Sequence, residues 1–137
     1  MVYKYALMPI LAWFVAGTLK FVINYIRFQR QAVNLIGNGG FPSTHTTVMS
    51  STVFLIGLSE GVAAPVFGLG VAMLMITIID ALGIRRAVGK QASAINRYIF
   101  SGNTTKPLLR ESQGHNPVEV LGGLVLGFMM AYLVHQI

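Results

Sequence analysis

Two histidines stand where polar sequence meets apolar sequence, and both have neighbours suited to acid–base chemistry. His45 lies in the stretch GGFPSTHTT, among small hydroxyl residues at the start of an apolar run. His115 lies in GHNPVE, four residues before Glu119. A carboxylate near an imidazole can fix its tautomer and stabilise the imidazolium form. Asn116 and Glu119 also fit a helix capping box, so the carboxylate has a structural explanation that does not exclude the chemical one.

Cations accompany both histidines. Lys20, Asn24 and Arg27 are spaced by four and three residues, which places them on one helical face with about 10 Å of rise between the ends. A lysine within a hydrocarbon layer is costly and is a functional candidate by default. The alternative is a snorkelling lysine followed by an interfacial arginine.

A second group of charges closes another apolar run. Asp80 lies in an apolar stretch five residues before the arginine pair Arg85 and Arg86. Because a buried charge needs a partner, we expect Asp80 to pair internally with Lys20 or with one of the arginines.

The composition defines the kind of scaffold that must position these residues. Of 137 residues, 54% are hydrophobic and 10% are charged, whereas soluble domains carry about 25% charged residues. We therefore predict a single integral membrane domain over residues 1–137. The net charge of +6 would indicate nucleic acid in a soluble protein. In an apolar chain it favours anionic lipid or a phosphorylated substrate, so nucleic acid is not predicted as a partner.

Metal chemistry is not predicted for this chain. Cysteine is absent, which excludes a thiolate site and disulfides. Two-metal phosphoryl chemistry needs several converging carboxylates. Only Asp80, Glu111 and Glu119 lie near the histidines, and cations outnumber them. The charges predict a pocket for an anion, with no metal and no other cofactor.

The apolar pattern predicts a helical membrane bundle. A spanning helix needs about 20 apolar residues. Four apolar segments stand out, at about 6–26, 46–58, 62–84 and 118–137. The second is short unless it starts near Pro42. In RRAVGKQASAINRYIF, basic residues recur on one helical stripe, which is typical of a helix lying in the interface. We predict an all-α bundle of four to five spanning helices plus this interfacial amphipathic helix.

The predicted topology gathers the charges on one membrane face. Four spans put both termini on one side, with Lys4, and the two long connections on the other. The second side collects Arg27, Arg30, Arg85, Arg86, Lys90, Arg97, Lys106 and Arg110. By the positive-inside rule this face, which also holds both histidines, is predicted to be cytoplasmic, in a bacterial inner (cell) membrane.

Three motifs in order resemble the signature of the type 2 phosphatidic acid phosphatase superfamily, which includes lipid phosphate phosphatases and vanadium haloperoxidases. They are Lys20-x6-Arg27, the run PSTH at 42–45, and His115-x3-Glu119. The familiar forms are K-x6-R-P, P-S-G-H and S-R-x5-H-x3-D. The stretches GGFPSTHT, DALGIRRAVGKQASAIN and GHNPVEVLGG are similar to a short, divergent bacterial and plastid branch.

The resemblance implies a role for each matching residue. His115 would attack phosphorus and form a phosphohistidine, and Glu119 would hold its imidazole. His45 would give a proton to the leaving group. Lys20 and Arg27 would neutralise the phosphoryl oxygens.

Further donors are implied at the helix starts. Ser43, Thr44 and the first backbone N–H groups of the second apolar helix would contact the anion, as helix N-termini do. The third motif usually has an arginine where this chain has Leu109. Arg85 or Arg86 would supply that guanidinium, ahead of Arg110.

The implied function is a metal-independent phosphatase acting on a lipid phosphate or diphosphate, with membrane lipids around it. A non-hydrolytic binder or carrier of phosphorylated lipids is the alternative. A third interpretation is a structural subunit whose basic face contacts anionic headgroups. Lipid-directed relatives generally have six spans, so a homodimer that completes the pocket also remains open.

Overall fold

The computed structural model describes residues 3–29, 40–98 and 108–137, which form five α-helices and no strand. The helices are α1 (Lys4–Phe28), α2 (Thr44–Glu60), α3 (Pro65–Leu82), α4 (Ile84–Tyr98) and α5 (Pro117–His135). The predicted all-α class is confirmed. Arg30 and Lys106, which entered the charge count, lie outside the described residues.

Length and apolar composition let three segments cross a membrane: Lys4–Arg27, Pro65–Tyr98 and Pro117–His135. The middle segment joins α3 to α4, which are separated by a break at Gly83. The predicted amphipathic helix is therefore a separate element. α2 has 17 residues, or about 25 Å at 1.5 Å per residue, and it packs against α1, α3 and α5.

Hydrogen bonds connect the helices at both ends of the bundle. We call the end where α2 and α5 begin the upper end. There the Ser43 N–H donates to the Glu119 carbonyl at 2.9 Å. There the His115 N–H donates to the Ala81 carbonyl at 3.0 Å. The starts of α2 and α5 thus lie beside the end of α3, as the predicted topology requires.

The lower end is held by side chains. The Tyr5 hydroxyl is hydrogen-bonded to the Glu60 carboxylate, and Ser59 Oγ lies 3.2 Å from His135 Nδ1. These contacts bring the start of α1 to the ends of α2 and α5. α1, α2, α3 and α5 therefore alternate in direction, and the start of α1 and the end of α5 lie at the lower end.

The face of α2 that contacts α5 is polar at the upper end. Thr46, Thr47, Ser50 and Ser51 are fully buried. Their hydroxyls are satisfied locally or across the interface; Ser50 Oγ, for example, donates to the Gly123 carbonyl at 3.3 Å. α5 meets this face with glycine, since a Cβ on residue 123 would lie 2.8 Å from the Ser43 carbonyl oxygen. Small residues allow membrane helices to approach this closely.

Further down, the same helices make an apolar core. Met8, Leu55 and Ala131 are fully buried there, with Tyr5, Phe54, Met130 and Val134 packed around them. The bundle is thus apolar inside near its lower end and hydroxyl-lined near its upper end.

Candidate active site

The start of α5 orients the His115 imidazole. Asn116 caps the helix, and its side chain accepts a hydrogen bond from the Glu119 N–H at 2.8 Å. The Glu119 carboxylate accepts the Asn116 N–H at 3.3 Å and lies 2.7 Å from His115 Nδ1. One carboxylate therefore completes the capping box and holds the imidazole, so both explanations offered by the sequence apply.

This contact sets the chemistry of the ring. A carboxylate only accepts, so Nδ1 carries the hydrogen and donates it, and in the neutral imidazole the lone pair is then on Nε2. The His115 side chain is 7% exposed and the Glu119 side chain 17%. A nearly buried imidazole with a carboxylate on Nδ1 is poised to act as a base or nucleophile through Nε2.

His45 lies in the first turn of α2 and is exposed. The charges of Arg85, Lys20 and Asp80 act on its ring, and the starts of α2 and α5 are hydrogen-bonded to each other. The structure therefore brings the two histidines to the same end of the bundle, together with cations from α1 and α4.

The start of α2 is held by Ser43 as a helix cap. Its side chain is fully buried, accepts from the Thr46 N–H at 3.4 Å and lies 2.9 Å from Thr46 Oγ1. The hydroxyl is therefore engaged within the protein. Thr44 is the first residue of α2 and is half-buried. Whether either hydroxyl meets an anion remains a prediction.

The cations occupy different positions. Lys20 approaches the 40–43 turn, since a Cβ on Gly40 would lie 3.9 Å from Lys20 Cε, and the charges of Glu119 and Arg110 act on it. Arg85 Nε pairs with Asp80 at 2.5 Å. The expectation that Asp80 pairs with an arginine is confirmed.

Two further arginines that were predicted to bind phosphate lie in different environments. Arg86 lies against Gly114, the residue before His115, where a Cβ would be 2.7 Å from Arg86 Cγ. Arg27 is exposed in the last turn of α1.

A cavity of about 330 Å³ opens at this end, at the lower limit of small-ligand pockets. It is lined by Gly40, Arg86, Ser112, Gln113, Gly114, His115, Asn116 and Glu119. Three residues singled out from the sequence, Arg86, His115 and Glu119, line it directly. The other six, Lys20, Arg27, Ser43, Thr44, His45 and Arg85, are not part of its lining.

The sequence reasoning missed the segment that ends in His115, residues 109–115, which we call the arm. Gly114 has φ +81°, and a Cβ there would lie 2.8 Å from the Arg86 nitrogen and 2.9 Å from the Ala81 carbonyl oxygen. The available signal was the glycine directly before the histidine. Only glycine combines this φ with so close an approach of two backbones.

The described residues contain no group of three or more histidine, aspartate or glutamate side chains that could hold a metal ion. The cavity wall has one carboxylate, Glu119, and that carboxylate is already bonded to His115. The lining is suited to an anion.

Comparison with known proteins agrees with the family resemblance seen in the sequence. The Divergent PAP2 family matches residues 3–130. This chain belongs to that family. The match includes every predicted site residue and leaves out His135.

A relative within the curated proteins is the uncharacterized membrane protein YuiD of Bacillus subtilis (strain 168). It is 28% identical over 137 aligned positions, which cover 85% of this chain and 87% of the relative. No solved structure matches the chain significantly. The membrane relative and the three long apolar segments identify this Divergent PAP2 family member as an integral membrane protein.

Proposed function

We propose that this chain is a metal-independent membrane phosphatase that removes phosphate from a lipid phosphate or diphosphate through a phosphohistidine. The observation that carries the proposal is the hydrogen-bonded His115–Glu119 pair in the wall of a cavity that also holds Arg86. Membership of the Divergent PAP2 family supports the same class of reaction.

The chemistry follows from which ring nitrogen is free. His115 Nε2 attacks phosphorus, and the bond between phosphorus and the leaving oxygen breaks. His45 gives its proton to that oxygen. Water then attacks the phosphohistidine, the P–N bond breaks, and His45 takes a proton from the water. Glu119 stabilises the imidazolium that forms in the first step.

The cations stabilise the charge that develops on the phosphoryl oxygens. Arg86 lies in the cavity wall, and Lys20 approaches it at Gly40. Arg85 acts on His45 while paired with Asp80. Preorganised donors of this kind are worth on the order of 3 kcal/mol each in a transition state.

The substrate is a phosphorylated lipid because the cavity opens at the end of an apolar bundle. The headgroup would enter the cavity and the tail would remain among the helices. Phosphatidic acid, phosphatidylglycerophosphate and polyprenyl phosphates or diphosphates all satisfy this description. Assays with a panel of lipid phosphates test which of these substrates the protein accepts.

The decisive experiment is release of phosphate from such a panel by the purified protein, with inhibition by vanadate. When the reaction is stopped by denaturation in alkali, where the acid-labile P–N bond survives, label from the substrate should remain on His115. A His115→Ala variant that binds lipid phosphate and releases nothing supports the enzyme. Equal turnover in that variant, or binding without turnover in the natural chain, favours the binder or carrier instead.

The active face is proposed to be cytoplasmic, on the positive-inside rule. The absence of cysteine makes this testable with single labels. In a Lys90→Cys variant a membrane-impermeant maleimide should react only from the cytoplasmic side, and in Gln136→Cys only from the opposite side. A homodimer is likewise a proposal, tested by the mass of the purified protein in detergent.

A further inference from the structure

The arm is held by one buried amide. Asn96, in the last turns of α4, is 8% exposed. Its Oδ1 accepts the Leu109 N–H at 2.8 Å, and its Nδ2 donates to the Leu109 carbonyl at 2.8 Å and to Glu111 Oε1 at 2.8 Å. A carboxamide can serve a backbone N–H and C=O at once, which neither a carboxylate nor an apolar side chain can do.

The rest of the arm follows α4 back towards its start. At Gly89, a Cβ would lie 2.5 Å from the Glu111 carbonyl oxygen and 3.4 Å from Gln113 backbone atoms. Gly114 then abuts Arg86, and the His115 N–H bonds to Ala81. The arm thus runs antiparallel to α4, from the end of that helix to the cavity.

The arm has no regular secondary structure of its own. Its backbone groups therefore depend on partners elsewhere. The hydrogen bonds from Asn96 and Ser93 also lower the pKa of Glu111, which keeps that carboxylate ionised as an acceptor.

Helix α4 therefore carries both a cation of the cavity wall, Arg86, and the amide that holds the arm, Asn96. Arg86 and Asn96 are ten residues apart on α4, about 15 Å along the helix axis. The distance between the cation and the nucleophile depends on how the arm sits on α4. A misplacement of about 1 Å can cost a reaction on the order of 100-fold.

We propose that Asn96 is a positioning residue for His115: it fixes the arm on α4 and so sets the nucleophile against Arg86. This role rests on the proposed phosphatase function. It assigns a kinetic consequence to a residue that lies outside the cavity wall.

The test compares Asn96→Ala and Asn96→Asp with Gln91→Ala, an exposed amide on the same helix. The aspartate keeps an acceptor for the Leu109 N–H but loses both donated bonds and faces Glu111 with like charge. We expect kcat to fall by on the order of 10- to 100-fold in both Asn96 variants. KM should stay within about threefold, since the cations remain. The Gln91 variant should retain natural values.

Hydrogen exchange gives a readout independent of turnover. Peptides covering the arm should exchange faster in the Asn96 variants, while peptides from α2 and α5 keep their natural protection. The affinity for orthovanadate, measured by calorimetry, should fall about tenfold. The reason is that His115 Nε2, the nitrogen expected to contact vanadium, is displaced.

Gly89→Ala is the second variant, in case loss of Asn96 prevents folding. Alanine favours a helix interior by up to about 1 kcal/mol over glycine, so α4 itself should not suffer. The new methyl group pushes on the Glu111 carbonyl, and we expect the same split between kcat and KM. Gly68→Ala is its control, because nothing lies within 4 Å of a Cβ there.

If the hydrogen-exchange rate of the arm is unchanged in the Asn96 variants, Asn96 does not hold the arm on α4, and the proposal is wrong. Faster exchange with natural kcat and natural vanadate affinity would overturn the positioning role. If the natural chain hydrolyses no lipid phosphate, the proposed function fails, and vanadate affinity with arm exchange alone decides whether Asn96 places His115.

Discussion

The two ends of the bundle use similar residues for different purposes. The upper end pairs His115 with Glu119. The lower end has His135 beside Ser59, and Glu60 beside Tyr5. Each end therefore has a histidine, a glutamate and a hydroxyl where helix ends meet.

The difference lies in what the carboxylate and the cations do. At the upper end the carboxylate orients the imidazole, and Arg86 shares a cavity with both. At the lower end the carboxylate bonds a phenol, and the imidazole contacts a neutral hydroxyl. Polar helix ends are enough to tie a bundle together, whereas chemistry needs an oriented base, a cation and space for a substrate.

The largest expected effect separates the two histidines. His115→Ala removes the proposed nucleophile, and we expect turnover of a lipid phosphate to fall on the order of 10⁴-fold or more. His135→Ala removes only a contact to Ser59 and should change turnover less than about twofold. Phosphate release by the two purified variants measures this difference. Similar losses in both would show that the upper end has no special role.

The two glutamates sharpen the comparison. Glu119→Gln keeps the size and can still complete a capping box, since glutamine also serves at the third helical position. The change therefore isolates the carboxylate on His115 Nδ1, and we expect kcat to drop by roughly 100-fold or more. Glu60→Gln is the matched change at the lower end and should leave kcat near its natural value. A natural kcat in Glu119→Gln would contradict the proposed orienting role.

A smaller effect is expected for the cavity cation. Arg86→Ala removes a guanidinium from the cavity wall, and KM for a lipid phosphate should rise about tenfold, the equivalent of one charge-assisted hydrogen bond. Lys90→Ala removes a cation from the next turn of α4 that does not line the cavity. Its KM should change little. Equal effects would mean that the basic face acts through general attraction to anions.

The sequence predicted what depends on local pattern. Asn116 and Glu119 predicted both the start of α5 and the contact with the imidazole. This was possible because the capping residue, the carboxylate and the imidazole all lie within five residues of sequence. The end of the third apolar segment and the amphipathic α4 were likewise local signals.

What could not be predicted depends on contacts distant in sequence. Asn96 meets Leu109 across 13 residues of chain, and Ala81 meets His115 across 34. The hydroxyl of Ser43 illustrates a different limit. A serine before a helix fits a cap and an anion donor equally well, and only the packing of Thr46 shows that it is engaged as a cap.

The smallest expected effect concerns the packing of α2 against α5, the two helices that run between the two ends of the bundle. A Cβ on Gly127 would lie 2.0 Å from Ser50 Oγ and 2.9 Å from the Ser51 nitrogen. Gly127→Ala should therefore force α2 away from α5 and destabilise the protein by about 1–3 kcal/mol. Gly17→Ala, with nothing within 4 Å of a Cβ, should be neutral or slightly stabilising. Thermal unfolding in detergent measures both changes. Adding Ser50→Ala to Gly127→Ala should recover part of the loss, because it removes the closer of the two clashing atoms, and no recovery would mean that the strain lies elsewhere.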